Sequence, residues 1–208
     1  MSSLPTRDSW IGSSIARVKK GEIFVFSGPS GSGKTTLAQA VLANKKFSGR
    51  LEKSISFTTR PKRRGEKDQR DYFFINQKEF SRQLRAQKIL EWTKYLGYYY
   101  GTGRDFVDSR LEAARNLILC LDLKGAGRIK KLYPKNSPTI FIMPPSLEEL
   151  YLRLKKRHRE TSKEEIKHRL RIARREIANA GKFDFCVANN DLAQAVKILN
   201  EIIAKKII

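Results

Sequence analysis

Residues 22–27 (EIFVFS) form a short apolar, β-favouring run that feeds directly into Gly28-Pro29-Ser30-Gly31-Ser32-Gly33-Lys34-Thr35, and a helical pattern follows from Thr35. No other feature restricts the fold as much. Strand, glycine-rich turn and helix in that order, with the spacing GxxxxGK[ST], make a phosphate-binding loop (P-loop). The glycines let the backbone N–H groups of the loop converge on phosphate oxygens without side-chain obstruction. The positive end of the following helix adds to the field at that point. Lys34 reaches the β- and γ-phosphates of a nucleoside triphosphate, and the hydroxyls of Thr35 and Thr36 face the same site. Thr35 is the natural hydroxyl ligand for a phosphate-bound Mg²⁺. An ordinary Gly/Ser turn carrying a surface lysine would need neither the strand before it nor the helix after it. ATP binding is the expectation.

Further candidate strands at 117–123 and 139–143 alternate with helix-like stretches at 105–116 and 124–132, which implies a parallel sheet with crossover helices. The pattern changes over 53–102 to short Thr/Phe/Tyr-rich runs around a helix-like segment, 77–87, with Asn76 as its cap. That is an inserted mixed α/β subdomain, placed before the second core strand. Residues 146–180 read as two helices joined by a polar turn at 159–162, and Asp191 caps a last amphipathic helix. The expected organisation is a flexible basic arm (1–20) and a single domain (21–208). Its core is 21–52, 103–145 and 181–208, which leaves 146–180 as a helical lid.

At 208 residues and 40% apolar content the chain can bury a real core. No stretch has the length of a membrane span or of a signal-peptide apolar segment, and a transit peptide is a minor reading of the Ser-rich basic start; a cytoplasmic location is expected. Cys120 and Cys186, both in apolar runs, read as reduced thiols, with no disulfide or zinc site. Forty-three Lys and Arg against 21 Asp and Glu give a net charge of +22, which suits phosphorylated partners and raises non-specific polyanion binding as a competing or second role.

The loop alone does not name the phosphoryl acceptor. The insert carries Ser56-Phe57-Thr58-Thr59-Arg60-Pro61-Lys62-Arg63-Arg64-Gly65-Glu66, then Asp71-Tyr72, Glu91-Trp92 and Tyr99-Tyr100-Gly101-Thr102. In order and spacing these resemble the acceptor module of guanylate kinases, and with the loop and lid the resemblance runs from about residue 21 to the end of the sequence. It implies an α/β P-loop nucleoside monophosphate kinase fold with a parallel-sheet core, an inserted GMP-binding subdomain (53–102) and a helical lid. The implied reaction is ATP + GMP to ADP + GDP, with dGMP as a second acceptor and Mg²⁺ as the metal. Glu91 would accept from guanine N1–H and N2–H. By the same resemblance Ser56 and Thr102 meet O6, and Asp122 takes the remaining N2 proton. Arg60 and Arg63 clamp the GMP phosphate through forked hydrogen bonds, and Tyr72 and Tyr100 donate to it. Taken singly, the tyrosines read as core aromatics, the arginine run as a solvated loop and Glu91 as an edge-strand carboxylate. Their joint occurrence with the loop favours the functional reading.

Residues 153–159 (RLKKRHR), with Glu164, Glu165 and Arg169, resemble the lid of the same family, which assigns catalytic charge to Arg153, Arg157 and Arg169 together with Lys34. The alternative is a solvated helix face. The turn after Arg157 is one residue longer than the family pattern and lacks its glycine, so Arg159 competes with Arg157 for the role. Asn189 matches an adenine-side asparagine, with helix capping expected of Asn190 or Asp191. Cys120 stands where the family has an acid placed to hold Mg²⁺ through water; it reads either as a small buried hydrophobe or as a weakened metal site. Two other readings stay open: a kinase of another nucleoside monophosphate, and a non-catalytic guanylate-kinase-like interaction domain, which Lys34 and Thr35 disfavour.

Overall fold

The computed structural model describes residues 20–63, 65–157 and 163–207, without the side chains of Arg157 and Lys163. The expected arm at 1–20 lies, but for Lys20, outside the described residues.

Five parallel strands, β1 (Ile23–Ser27), β2 (Leu51–Lys53), β7 (Asn116–Cys120), β8 (Thr139–Met143) and β9 (Phe185–Ala188), form one sheet in the order β2-β7-β1-β8-β9. β1 is buried at every position, which explains its unbroken apolar run: a strand covered on both faces has no polar side to show. Helices α1 (Lys34–Leu42) and α7 (Leu192–Ile207) cover one face, packing Leu37, Val41, Leu199 and Ile203 on Phe24, Phe26, Ile118 and Ile140. On the other face α3 (Arg104–Glu112) and α4 (Leu123–Leu132) bring Val107, Leu111, Ala126 and Ile129 to Ile23, Val25, Leu117 and Leu119. β1 is central, and successive connections leave it to opposite sides. The crevice at its carboxyl end is therefore where an open α/β sheet binds ligands.

A second, four-stranded sheet, β4-β3-β6-β5, is built from β3 (Phe57–Thr58), β4 (Phe73–Phe74), β5 (Ile89–Tyr95) and β6 (Tyr98–Gly103), with α2 (Gln77–Arg85) beside it. β5 and β6 form an antiparallel hairpin. Helices α5 (Leu147–Arg157) and α6 (Lys163–Ile177) pair through Leu150, Leu154 and Ala173.

The sequence reading needs three corrections. β2 already belongs to the parallel sheet, pairing with β7 from Leu51↔Asn116, so the insert follows the second core strand. The strand expected to run through residue 123 stops at Cys120 because Asp122 caps α4, accepting from the Gly125 N–H at 2.8 Å. The helix expected over 105–116 ends at Glu112; Ala114 turns to φ 54°, and Asn116 starts β7 with its side chain bonded to Glu22 N–H and the Arg50 carbonyl. The caps at Asn76 (from Glu79 N–H, 2.8 Å) and Asp191 (from Gln194 N–H, 2.7 Å) form as read.

Candidate active site

The loop between β1 and α1, the inner face of the second sheet and one face of α6 enclose a cavity of about 510 Å³. Of the expected residues, Gly28, Ser30, Gly31, Gly33, Lys34, Thr35, Thr36, Ser56, Arg60, Arg63, Tyr72, Glu91, Tyr100, Asp122 and Arg169 line it. Gly33 is at φ 98°, and a Cβ there would lie 2.2 Å from the Asn189 side-chain nitrogen, so only glycine lets the loop and that amide approach. The Lys34 ammonium donates to the Gly28 and Pro29 carbonyls at 2.6 and 3.0 Å, which holds it at the loop's mouth.

Asn189 is placed differently from the expectation. It is buried behind the loop, donating from Nδ2 to the Ser32 carbonyl at 2.7 Å, and it does not line the cavity. It braces the loop from the end of β9. Ser32 is likewise fully buried under the loop.

At the acceptor end the Arg60 guanidinium is held by Glu66, whose two oxygens accept from Nη2 at 2.8 and 2.9 Å, while Nη1 donates to the Pro61 carbonyl. Glu66 also accepts from the Arg63 N–H at 2.8 Å. Burial works against charge on both members of this pair, yet their mutual hydrogen bond keeps Glu66 below and Arg60 above their ordinary values. Arg60 lies over the Tyr72 ring at 5.6 Å, and Tyr72 meets Tyr100 edge-on at 6.0 Å. Arg60, Tyr72 and Tyr100 thus share one wall, and Arg63 also lines the cavity.

Glu91, from β5, is buried. Its Oε1 accepts from the Thr102 hydroxyl at 2.5 Å, and a Cβ on Gly125 would lie 2.7 Å from its Oε2. Burial pushes the carboxyl up to about 7; the Thr102 bond pulls it down and the Asp122 charge pushes it further up. Thr102, expected to meet the base directly, instead has its one proton on Glu91 and sits behind it. Ser56 and Asp122 line the same cavity as Glu91.

From the lid, Arg169 reaches the cavity, held by Glu165 at 2.6 Å and lying 5.9 Å from the Tyr95 ring centre. Arg153 pairs with Glu149 at 2.8 Å and is not among the lining residues. The Arg157 side chain and Arg159 lie outside the described residues. Glu66, Tyr95, Ile172 and Glu176 are site residues that sequence reasoning did not assign. Glu66 was visible within the quoted arginine motif, and the spacing of Ile172 and Glu176 from Arg169, three and seven residues, was a helical-face signal available for both. Tyr95 had no such marker. Cys120 also lines the cavity, its thiol pushed up by burial. Among the described residues no group of three His, Cys, Asp or Glu is placed to hold a metal, and no helix is long and apolar enough to cross a membrane.

The family model for guanylate kinase matches residues 20–206. The chain is 43% identical over 189 residues to a guanylate kinase of Caldanaerobacter subterraneus, covering 90% of this chain and 89% of the relative. With a guanylate kinase of Wolbachia pipientis the identity is 37% over 187 residues, covering 90% and 91%. The crystal structure of guanylate kinase from Anaplasma phagocytophilum superposes with a TM-score of 0.75 at 29% identity, covering 90% of this chain and 87% of that one. A phosphate loop and a buried carboxylate line one cavity, and by the family match and these identities the chain belongs to the guanylate kinase family.

Proposed function

We propose that this chain transfers the γ-phosphoryl group of ATP to GMP, and to dGMP, giving ADP and GDP. The observation that carries the reading is the placement of Glu91: a buried, acceptor-rich group on the same cavity as the phosphate loop. Guanine offers two adjacent donors to such a carboxylate, whereas adenine offers a lone pair at N1. A buried polar site left unpaired in this way rejects the wrong base by a factor of about 10⁴–10⁵. Thr102 orients Glu91 from behind, Ser56 and Asp122 complete the base pocket, and Arg60, Arg63, Tyr72 and Tyr100 hold the GMP phosphate. Lys34 from the loop and Arg169 from α6, both on the cavity, bring positive charge to the transferring group. Because such transfer is largely dissociative, positioned charge supplies most of the catalysis.

The residues present fit a phosphate-bound Mg²⁺. Thr35 lines the cavity beside Gly28, Gly31, Gly33 and Lys34 of the loop, so its hydroxyl is available next to the phosphate site. The metal would supply neutralisation of charge developing between the phosphates. On this reading 53–102 is the acceptor subdomain, 146–180 the lid and the remainder of 21–208 the core. Arg153 is a lid residue that joins the site when the lid carries it there, Arg157 adds lid charge, and Asn189 serves the ATP side through the loop that it braces.

A coupled ADP-release assay over GMP, dGMP, AMP, UMP and shikimate tests the proposal. GMP and dGMP should be turned over and the others should not; equal turnover of AMP overturns the acceptor assignment.

A further inference from the structure

Strand β5 turns Glu91, Thr93 and Tyr95 to the cavity and leaves Trp92 and Lys94 exposed, the alternation of a strand with one face on a site. Glu91 stands near its start. Tyr95 is its last residue, paired with Tyr98 across a two-residue turn in which Leu96 and Gly97 lie at φ 50° and 84°. Left-handed backbone at both turn positions matches the twist of the two strands and fixes the face that the flanking residues take. Tyr95 is therefore held at the tip of the hairpin, where α6 passes. There the Arg169 guanidinium lies over its ring, 5.9 Å from the centre, within reach of a cation–π contact. The Arg169 side chain is only 6% exposed. One edge of it is taken by Glu165, whose Oε1 accepts from Nε at 3.1 Å and from Nη2 at 2.6 Å. Its face is given to Tyr95. The two contacts differ in origin: Glu165 is one turn earlier on the same helix and moves with Arg169, whereas Tyr95 belongs to the sheet that carries Glu91.

We propose that Tyr95 is a positioning residue for Arg169: its ring is the surface of the second sheet against which the lid arginine seats, so that the guanidinium meets the transferring phosphoryl group in a fixed relation to the acceptor on Glu91. Glu165 sets Arg169 on its own helix. A contact from the second sheet is needed to set it against the acceptor, and Tyr95 supplies one. The proposal rests on Arg169 serving phosphoryl transfer, as argued above. Burial pushes the Tyr95 phenol up and the Arg169 charge pulls it down, as does a hydrogen bond with Ser30 of the loop. Ring and hydroxyl thus have separate partners, which substitution can tell apart.

The test is steady-state kinetics with ATP and GMP for the wild type, Tyr95→Leu, Tyr95→Phe, Arg169→Gln and the double variant Tyr95→Leu/Arg169→Gln, with GMP binding to each read by calorimetry. Tyr95→Leu should lose roughly three- to thirtyfold in kcat, the worth of a cation–π contact out of water, while both KM values and GMP affinity change little. Tyr95→Phe, which keeps the ring, should recover most of the loss. On the Arg169→Gln background Tyr95→Leu should cost nothing further, because the group that it positions is gone. A phenylalanine variant as poor as the leucine one puts the effect on the hydroxyl and overturns the proposal. So does a loss in Tyr95→Leu that recurs in full without Arg169, or that falls on KM or GMP binding instead of kcat, as does wild-type kcat in Tyr95→Leu. Wild-type kcat in Arg169→Gln removes Arg169 from the transfer and overturns the proposal with it. If another monophosphate proves to be the acceptor, the same cycle is read with that acceptor, so failure of the GMP assignment leaves this test intact.

Discussion

Glu91 answers two opposed demands. On the proposed function a carboxylate in this pocket would give guanine a charged acceptor, but the pocket raises its affinity for a proton from the ordinary value of 4.5 to about 7. Because the folded state holds that proton more tightly than the unfolded chain, stability present below the ordinary value is lost as pH rises from about 4.5 to about 7. Glu91→Gln is neutral throughout and escapes the loss. At pH 8 it should unfold with about 2–3 kcal/mol more stability in denaturant titrations, a difference that vanishes near pH 4. The same variant should lose about 1.5–3 kcal/mol in kcat/KM for GMP, the worth of a charged hydrogen bond, with the KM for ATP little changed. An equal loss on ATP would make Glu91 a fold residue. At this scale the sequence is legible where chemistry and local spacing coincide: Lys34, Thr35, Arg60 and Glu91 each sit in a run whose order carries meaning. It is silent where the partner comes from elsewhere in the fold. That Thr102 bonds to Glu91, that Tyr95 meets Arg169 and that Glu176 lines the cavity are products of the hairpin register and the packing of α6, which no local pattern encodes.

Among the elements, those with a long period or a capping side chain could be read from the chain, including β1, β8, α2 with Asn76 and α7 with Asp191. β2, β3 and β4, of three, two and two residues, could not, since strands so short show no alternation and exist only through their neighbours. The end of β7 was misjudged because Leu121 and Leu123 continue its apolar character; the cap at Asp122 decides the boundary. The loop itself depends on an element distant in sequence, since Asn189 at the end of β9 holds the Ser32 carbonyl. Asn189→Ala removes that buried bond and should cost about 1–2 kcal/mol in unfolding free energy. It should also raise the KM for ATP several-fold while GMP affinity, set on the second sheet, stays as it was. A variant with normal ATP kinetics would separate the brace from the function of the loop.

The whole molecule carries a net charge of +22, more than the cavity uses, since Lys34, Arg60, Arg63 and Arg169 account for its lining cations. The remaining basic side chains, such as Lys155, Lys156, Arg171, Arg174 and Lys197, lie exposed on several helices and give a field without a sequence-reading surface. We expect random-sequence oligonucleotides to bind, with an affinity that falls at least tenfold between roughly 50 and 200 mM salt and does not depend on sequence. Fluorescence anisotropy checks this; salt-independent binding would indicate a defined site instead. The brace on the loop also bears on how the protein comes into being. Synthesis delivers β1 and every glycine of the loop by residue 33, yet the Asn189 amide that fixes the loop lies 157 residues beyond its partner Ser32. A growing chain still on the ribosome therefore presents an unsecured loop for most of its translation, and the loop reaches its full affinity for nucleotide only after β9 has emerged and docked against β8.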